Sequence, residues 1–374
     1  MAILKIETGA EQVNNYLSYL KNKRVAIVAN HTSKINRTHL VDSLLSLDVD
    51  VKKVFCPEHG FRGNGDAGEY IKDYYDTKSG LKIISLYGKN KKPKSTDLSD
   101  VDIVIFDIQD VGVRIYTYIS TMHYVMEACA ENNVEFLVLD RPNPNGFYVD
   151  GPILDTSFKS FVGMHHVPLV HGMTIAEYAR MIKGQKWLKD SLDVKLKYIT
   201  CKNYSHDSLY KLPVRPSPNL QNMTAVYLYP SLGLFEGTKI NVGRGTDLPF
   251  EVFGHPKLKN ANFEYIPKSI VGVSKYPKHK NINCKGINLS RIDIDSLNSL
   301  KRINLNYLFF AYKNIDNTED FFKPFFYNIS GSKILMKQIK NNISEKEIRE
   351  SWQNDIEKFK VIRKKYLLYP DFKE

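Results

Sequence analysis

The stretch Ile103-Val-Ile-Phe-Asp-Ile-Gln-Asp-Val-Gly112 decides the fold of this chain. Its first half is a continuous apolar run that ends in a carboxylate, and its second half is a polar loop that contains glycine. Such continuous runs, without polar alternation, are typical of strands in a parallel sheet that is covered on both faces. Four similar runs are found in the first half of the chain: Arg24–Ala29, Val51–Cys56, Ile83–Leu86 and Phe136–Asp140.

Helical patterns separate these runs. Met122, Val125, Met126 and Cys129 recur on one helical face between two predicted strands. A capping box, Thr174-Ile-Ala-Glu177, predicts the start of another helix. Strands that alternate with amphipathic helices indicate βαβ units. The prediction is therefore an α/β fold, with a Rossmann-like, mostly parallel sheet domain over residues 1–225.

The second part of the chain has a different character. From about Val226 onward, Asn, Lys and Tyr become more frequent and the apolar runs become shorter. A second capping box, Ser344-Glu-Lys-Glu347, predicts a helix with Ile348, Trp352 and Ile356 on one face. We predict a smaller α+β auxiliary domain over residues 226–374 that closes a cleft against the first domain.

Composition and charge exclude several classes of protein. The chain has 374 residues, with 53 Lys and Arg against 41 Asp and Glu, which gives a net charge of +12. This excess favours anionic partners, but no RNP, zinc-finger or helix-turn-helix pattern accompanies it, so nucleic acid is not expected. No apolar run approaches the roughly 20 residues of a membrane span, so the protein is not expected to be integral to a membrane.

Motifs for cofactors are also missing. The first predicted strand leads into Asn30-His31-Thr32-Ser33, without the Gly-x-Gly-x-x-Gly of a dinucleotide site, and no P-loop pattern occurs. The four cysteines form no Cys-x-x-Cys pair, and Cys56 and Cys129 are expected to be buried thiols. No His-Glu-x-x-His or similar spacing exists. The sequence therefore predicts neither a metal nor a cofactor.

The predicted strands end in polar residues, and ligands of open parallel sheets bind beyond these carboxyl ends. Glu58 follows the second strand, between Pro57 and His59, and is the strongest candidate for acid/base chemistry. Asp107 and Asp110 could instead order their loop, and Asp140 could cap a turn or pair with an arginine. The candidates from the strand ends are Asn30, Glu58, His59, Arg62, Asp107, Asp110, Arg114, Asp140, Arg141 and Asn143.

A second polar cluster lies further along the chain and contains Asn219, Glu236 and Arg244. The segment Gly243-Arg-Gly-Thr246 would expose its arginine on a tight loop, which suits bidentate binding of a carboxylate. An ordinary hairpin turn is the alternative interpretation. Glu236 could be a second catalytic carboxylate or only the partner of Arg244.

Several long motifs occur in an order that resembles one known family, the exo-β-N-acetylmuramidases of the NamZ type. The resemblance extends from about Arg24 to Tyr369. The motifs are Pro57–Gly63, Phe106–Gly112 with Arg114 and Tyr116–Tyr118, Leu139–Pro144, Gly151–Leu154, His171–Thr174, Pro216–Asn219, Phe235–Thr238 and Gly243–Thr246.

The resemblance implies release of N-acetylmuramic acid from the non-reducing end of peptidoglycan fragments, without metal or nucleotide. It implies that Glu58 is the general acid/base, with Asp107 and Asp140 as further catalytic candidates. Asn30, at the end of the first predicted strand, is a further substrate-binding candidate. The substrate-binding candidates on the matching motifs are His59, Arg62, Asp110, Arg114, Tyr116, Arg141, Asn143, His171, Asn219, Glu236 and Arg244. One departure from the family pattern is Val170, where an arginine usually stands.

The lactyl carboxylate of N-acetylmuramic acid needs a cation, and Arg114, Arg141 and Arg244 are the candidates. Sequence leaves open whether the reaction is retaining, inverting or assisted by the 2-acetamido group, with Asp107 or Asp140 orienting that group. Two rival functions also remain open. One is a metal-dependent hydrolase that uses His59, Asp107 and Asp140, and the other is a protein that binds muropeptides without cleaving them.

The expected partners are N-acetylmuramic acid–N-acetylglucosamine saccharides or muropeptides derived from peptidoglycan. This substrate favours a periplasmic or secreted protein over a cytoplasmic one. The first residues, Met1–Glu7, lack the long apolar run of a signal peptide. Met1-Ala2 could be a native start or the remnant of a trimmed signal.

Overall fold

The computed structural model describes residues 5–62 and 72–373. Met1, Ala2 and Gly63, on which parts of the sequence analysis rest, lie outside the described residues. The strands are β1 (Val25–Ala29), β2 (Lys34–Ile35), β3 (Thr38–His39), β4 (Val51–Cys56), β5 (Tyr74–Tyr75), β6 (Lys82–Ser85), β7 (Ile103–Asp107), β8 (Glu135–Leu139), β9 (Leu196–Ile199), β10 (Val252–His255), β11 (Phe263–Tyr265) and β12 (Cys284–Asn288). The helices are α1 (Leu17–Leu20), α2 (Leu40–Leu45), α3 (Ser95–Leu98), α4 (Tyr118–Glu131), α5 (Ile175–Gly184), α6 (Met223–Leu232), α7 (Ile294–Ser299), α8 (Asn306–Lys313), α9 (Phe326–Ser330), α10 (Ile334–Lys340) and α11 (Glu345–Lys364).

Seven strands form one large sheet in the spatial order β5-β6-β4-β1-β7-β8-β9. All neighbours in it are parallel except β5, which runs antiparallel to β6. The side chains of β1 alternate between two apolar cores, with Ile27 on the face covered by α2 and Val28 on the face covered by α4 and α5. Because both faces are covered, a strand at the centre of the sheet must be apolar throughout.

The strands predicted from the apolar runs are confirmed to within one residue at each end. The capping box that starts α5 is also confirmed, since the Thr174 hydroxyl accepts the Glu177 amide and the Glu177 carboxylate accepts the Thr174 amide. The edge strands β5 and β9 were not predicted. Their runs are short and half-exposed, so neither has the continuous apolar character of the inner strands.

The C-terminal part contains a separate antiparallel sheet in the order β10-β12-β11, together with helices α7 to α11. Helix α11 begins with the predicted capping box at Ser344 and buries Ile348, Trp352 and Ile356. The apolar core beneath α4 and α5 continues into this part of the chain. The predicted fold class is confirmed, whereas the division of the chain near residue 225 stays a prediction.

All four cysteines are buried free thiols, as predicted for Cys56 and Cys129. Among the described residues, no helix has both the length and the apolar character needed to cross a membrane.

Candidate active site

A pocket lies beyond the carboxyl ends of β4, β6 and β7, where the loops of the large sheet meet α6, α9 and the loop before β10. Residues from both parts of the chain form its wall. The lining residues are Glu58, His59, Tyr87, Ile115, Tyr116, Thr117, Tyr118, Phe161, Val162, Ser217, Asn219, Leu220, Tyr229, Glu236, Arg244, Phe250, Phe325 and Ile329.

Glu58 enters the pocket from the loop that follows β4. This loop turns sharply, because His59 and Gly60 both have positive φ angles, of 70° and 73°, and a positive φ is uncommon for a residue other than glycine. The Thr117 hydroxyl donates a hydrogen bond to Glu58 Oε2 at 3.3 Å. Burial, followed by the nearby Glu58 carboxylate, raises the pKa of Tyr87, which therefore stays protonated beside Glu58. Glu58 is thus held between hydroxyl groups at the pocket wall.

The opposite wall carries an ion pair. Arg244 Nε donates to Glu236 Oε1 at 3.1 Å, while Arg244 Nη1 is buried without a hydrogen-bond partner among the described residues. Burial opposes the charge of Glu236, but Arg244 and Lys278 outweigh it and lower the pKa of that carboxyl. The pair is therefore ionised. Arg244 is the one Lys or Arg in the described lining of the pocket.

Lys278 fixes the turn that carries Glu236. Its ammonium group donates hydrogen bonds to four backbone carbonyls of the 3-10 helix Gly233–Gly237 and the segment after it. A buried cation at the end of a helix satisfies carbonyls that would otherwise have no partner. These hydrogen bonds consequently hold the backbone that carries Glu236 in a fixed position.

Tyr116 and Asn219 connect the pocket walls. The Tyr116 hydroxyl donates to the Pro216 carbonyl at 2.8 Å, which joins the loop before α4 to the loop before α6. Asn219 Nδ2 donates to the Val273 carbonyl at 2.9 Å, and its Oδ1 is buried without a partner among the described residues. The structure therefore places six sequence-predicted residues in the pocket: Glu58, His59, Tyr116, Asn219, Glu236 and Arg244.

Asp107 and Arg141, both predicted site residues, lie outside this pocket and pair with each other. Arg141 donates from Nε and Nη2 to the two carboxylate oxygens at 2.6 and 2.9 Å. The pair is completely buried, and contact with Asp107 outweighs burial and raises the pKa of Arg141. The Asp107 carboxylate is therefore bound to Arg141 beneath the loops and does not line the pocket, and its catalytic role stays a prediction.

Asp140 also lies outside the pocket lining. Its carboxylate accepts hydrogen bonds from the Thr174 hydroxyl, the Ala176 amide and the Tyr369 hydroxyl, at 2.8, 2.9 and 2.5 Å. Burial raises its pKa to about 7. The side chain joins β8, the start of α5 and the C-terminal segment, and its catalytic role stays a prediction.

Two predicted arginines also lie away from the pocket lining. The Arg114 guanidinium is fully buried and donates to the carbonyls of Pro152, Val167, Ile329 and Ser330. Its Nε is buried without a partner among the described residues, and the residue does not line the pocket. Arg62 pairs with Asp42 and Asp76 on the far side of its loop.

Four other predicted residues lie behind the lining of the pocket. Asn143 binds backbone groups of Met173 and Asn145, and His171 is buried at 4.0 Å from Asp110 Oδ2. Burial raises the pKa of Asp110 to about 7 and lowers that of His171 to about 3. Asn30 is buried, and its Oδ1 accepts from the Thr32 amide and hydroxyl. These residues support the loops and do not form the described wall.

Of the aromatic side chains of the pocket, sequence reasoning found Tyr116 and missed Tyr118, Tyr229 and Phe250. The four rings form a chain of edge-to-face contacts in the order Tyr118, Tyr116, Tyr229 and Phe250, with centroids 4.8, 5.8 and 5.0 Å apart. Tyr118 belongs to the motif Tyr116–Tyr118, but nothing in its spacing distinguishes it from a core tyrosine. Within residues 5–62 and 72–373, no group of three or more His, Cys, Asp or Glu side chains is arranged to hold a metal ion.

Comparison with known proteins gives a consistent result. Family models described as exo-beta-N-acetylmuramidase NamZ match residues 25–224 (N-terminal model) and 227–369 (C-terminal model). The peptidoglycan beta-N-acetylmuramidase NamZ of Bacillus subtilis (strain 168) is 37% identical, over 98% of this chain and 92% of its own length.

Two crystal structures of DUF1343 family proteins from Bacteroides fragilis NCTC 9343 are similar over nearly the whole chain. One has a TM-score of 0.92 and 47% identity, and covers 98% of this chain and 100% of its own. The other has a TM-score of 0.79 and 28% identity, with coverage of 97% and 99%.

Proposed function

The chain belongs to the exo-β-N-acetylmuramidase family, and from this premise we propose that its pocket cleaves N-acetylmuramic acid from peptidoglycan fragments with Glu58 as the general acid. One observation supports this assignment above the others. Glu58, from the segment matched by the N-terminal family model, and the Glu236–Arg244 pair, from the segment matched by the C-terminal one, line the same pocket. The protein is accordingly a glycoside hydrolase that acts on the non-reducing end of its substrate.

Arg244 is the group that can recognise the lactyl carboxylate. Its Nε is bound to Glu236, but its buried Nη1 has no partner among the described residues and can donate to an anion. A guanidinium is suited to carboxylates because its donors lie in one plane. N-Acetylglucosamine lacks the lactyl group and would leave this donor unsatisfied, which gives the pocket a physical basis for discrimination.

Glu58 can protonate the glycosidic oxygen as the bond to the anomeric carbon breaks. The half-buried carboxyl group is held at the wall by the hydroxyl of Thr117. A water molecule then attacks the anomeric carbon, directly or after an intermediate has formed. The second group of the reaction is Glu236 or the 2-acetamido group of the substrate, since Asp107 and Asp140 are committed elsewhere.

We propose that the substrates are N-acetylmuramic acid–N-acetylglucosamine saccharides, with or without a stem peptide. The net charge of +12 is favourable for the approach of such anionic fragments. We also propose a periplasmic or secreted location, because peptidoglycan lies outside the cytoplasmic membrane. Immunodetection in fractionated cells tests the location, and a cytoplasmic signal alone would contradict it.

The first experiment uses chromogenic β-glycosides of N-acetylmuramic acid and of N-acetylglucosamine in the presence of EDTA. We expect chromophore release from the muramic substrate alone. Activity that survives chelation opposes a metal-dependent hydrolase. Failure to cleave either substrate, with tight binding of an intact muropeptide, would favour the alternative of a binding protein.

The substitution Glu58→Gln tests the general acid. We expect kcat to fall at least about 100-fold, because an amide cannot supply the proton, while the inhibition constant of free N-acetylmuramic acid changes little. Thr117→Val is the matched control, since it removes the hydrogen bond to Glu58 and leaves the carboxyl in place. Near wild-type turnover by Glu58→Gln would refute the assignment.

A further inference from the structure

Three polar atoms in the pocket wall are buried without a hydrogen-bond partner among the described residues. They are Arg244 Nη1, Asn219 Oδ1 and the Tyr118 hydroxyl. An unsatisfied buried polar atom destabilises the folded protein, so three at one pocket call for a physical explanation. The proposed function uses Arg244 and leaves one acceptor and one hydroxyl unassigned.

The orientation of the Asn219 amide is fixed by its surroundings. Its Nδ2 donates to the Val273 carbonyl at 2.9 Å, and only the nitrogen end of an amide can donate to a carbonyl oxygen. The Oδ1 atom is therefore the end that remains unsatisfied at the pocket. Because it carries no hydrogen, it can only accept a hydrogen bond.

The Tyr118 hydroxyl stands at the first residue of α4 and acts as the complementary donor. Its side chain is 2% exposed. Burial, and then the charge of Glu58, raise the pKa of Tyr118, so the hydroxyl keeps its proton. The Tyr116 hydroxyl, which donates its proton to the Pro216 carbonyl, and the amide of Asn30 both lie beside it. Since Asn30 Oδ1 is occupied by Thr32, the Asn30 side chain offers Tyr118 only its donor end.

We propose that Tyr118 and Asn219 form a subsite for the 2-acetamido group of the substrate, an inference that rests on the proposed function. The Tyr118 hydroxyl donates to the acetamido carbonyl oxygen, and Asn219 Oδ1 accepts the acetamido N–H. Apolar side chains of Ile115, Val162 and Leu220 in the same wall are available to the methyl group. One donor, one acceptor and an apolar surface match the chemistry of an acetamide.

Arg244 and this subsite together recognise the two substituents that distinguish N-acetylmuramic acid from glucose. Arg244 binds the lactyl carboxylate, whereas Tyr118 and Asn219 bind the 2-acetamido group. Asn30 is then a positioning residue, because it acts on the substrate through the Tyr118 hydroxyl.

Inhibition constants test the subsite without requiring turnover of a poor substrate. Free N-acetylmuramic acid and its 2-deoxy analogue, which keeps the lactyl ether and lacks the acetamido group, compete with the chromogenic muramic substrate. We expect Tyr118→Phe to raise the inhibition constant of N-acetylmuramic acid about 10-fold and to change that of the 2-deoxy analogue less than about 3-fold. The inhibition ratio, which is the constant of the 2-deoxy analogue divided by that of N-acetylmuramic acid, therefore falls. Asn219→Leu should reduce this inhibition ratio as well.

Tyr16→Phe is the matched control, because Tyr16 is equally buried but its hydroxyl donates to the Ala10 carbonyl at 2.9 Å, outside the pocket lining. It should lower the melting temperature and leave the inhibition ratio unchanged, whereas Tyr118→Phe should not lower the melting temperature. An equal effect of Tyr118→Phe on both inhibitors would overturn the subsite while the proposed function stands. A wild-type protein without activity on the muramic substrate would overturn both.

Discussion

At the scale of single residues, the sequence offers three arginines as equal candidates to bind the lactyl carboxylate. The contacts of their guanidinium groups distinguish them. Arg114 donates to four backbone carbonyls, and Arg141 donates to both oxygens of Asp107. Arg244 alone of these three lines the pocket. Arg114 Nε is buried without a partner among the described residues, as Arg244 Nη1 is, but Arg114 and Arg141 do not line the pocket. We therefore propose Arg244 for the lactyl carboxylate.

Arg244→Gln should weaken recognition of the lactyl group, because it removes the charge at the pocket wall. We expect the inhibition constant of free N-acetylmuramic acid to rise about 10- to 100-fold, with less than about a 3-fold change for N-acetylglucosamine. Competition against the chromogenic muramic substrate measures both constants. If the two sugars weaken equally, Arg244 supports the shape of the pocket and does not read the carboxylate.

The same residues show what sequence could and could not predict about the site. Strand ends were predictable because apolar runs stop at Asp107 and Asp140, and the loops that follow carry the polar residues. The roles of these two carboxylates were not predictable. Their partners are distant in sequence: Asp107 pairs with Arg141, and Asp140 accepts from Tyr369. Local spacing carries no information about such contacts.

At the scale of elements, helix α9 forms part of the pocket wall and depends on Arg114. Phe325 and Ile329 line the pocket, and the carbonyls of Ile329 and Ser330 accept hydrogen bonds from Arg114. The helix ends at Gly331, whose φ of 80° is left-handed. Arg114 thus connects the loop after β7 to the wall that the C-terminal part contributes.

Gly331→Ala should disturb this connection. A Cβ atom there would lie 2.5 Å from Arg114 Nη2, in addition to the cost of a left-handed alanine. We expect a loss of about 2–4 kcal/mol in the free energy of unfolding and a higher KM for the muramic substrate. Urea denaturation measures the free energy of unfolding, and steady-state kinetics measures KM.

Gly80→Ala is the control for that substitution. Its φ is +70°, and nothing lies within 4 Å of the added Cβ, so only the backbone cost of about 1 kcal/mol should appear. Equal losses in the two variants would show that the contact with Arg114 contributes nothing. Sequence predicted the starts of α5 and α11 from local capping boxes, but the end of α9 depends on a residue more than two hundred positions away.

At the scale of the whole molecule, burial of titratable groups couples folding to pH. Burial lowers the pKa of His39 and His123 to about 4 and that of His171 to about 3, and it lowers the pKa of His165 as well. The ordinary value is about 6.5. As pH falls from 6.5 to 4, the unfolded chain therefore binds protons that the folded chain does not, and stability falls.

Four carboxyl groups act in the opposite direction. Burial raises the pKa of Asp110 and Asp140 to about 7, and it also raises the pKa of Asp107 and Glu251, so the folded chain binds protons on them at a pH where the unfolded chain does not. Their contribution to stability grows as pH falls from 7 to 4. Burial also lowers the pKa of His31, His255 and His279. Because seven described histidines oppose these four carboxyl groups, the histidines dominate the balance in this range.

The free energy of unfolding should consequently be lower at pH 5 than at pH 7. Urea denaturation at the two pH values measures the difference, and a pH titration of unfolded and folded protein should show net proton uptake on unfolding at pH 5. In Asp140→Asn one opposing carboxyl is absent, so the drop between pH 7 and pH 5 should be larger than in the wild type. Stability that is constant or that rises toward pH 5 would mean that the buried histidines are protonated in the folded protein, which their burial makes costly.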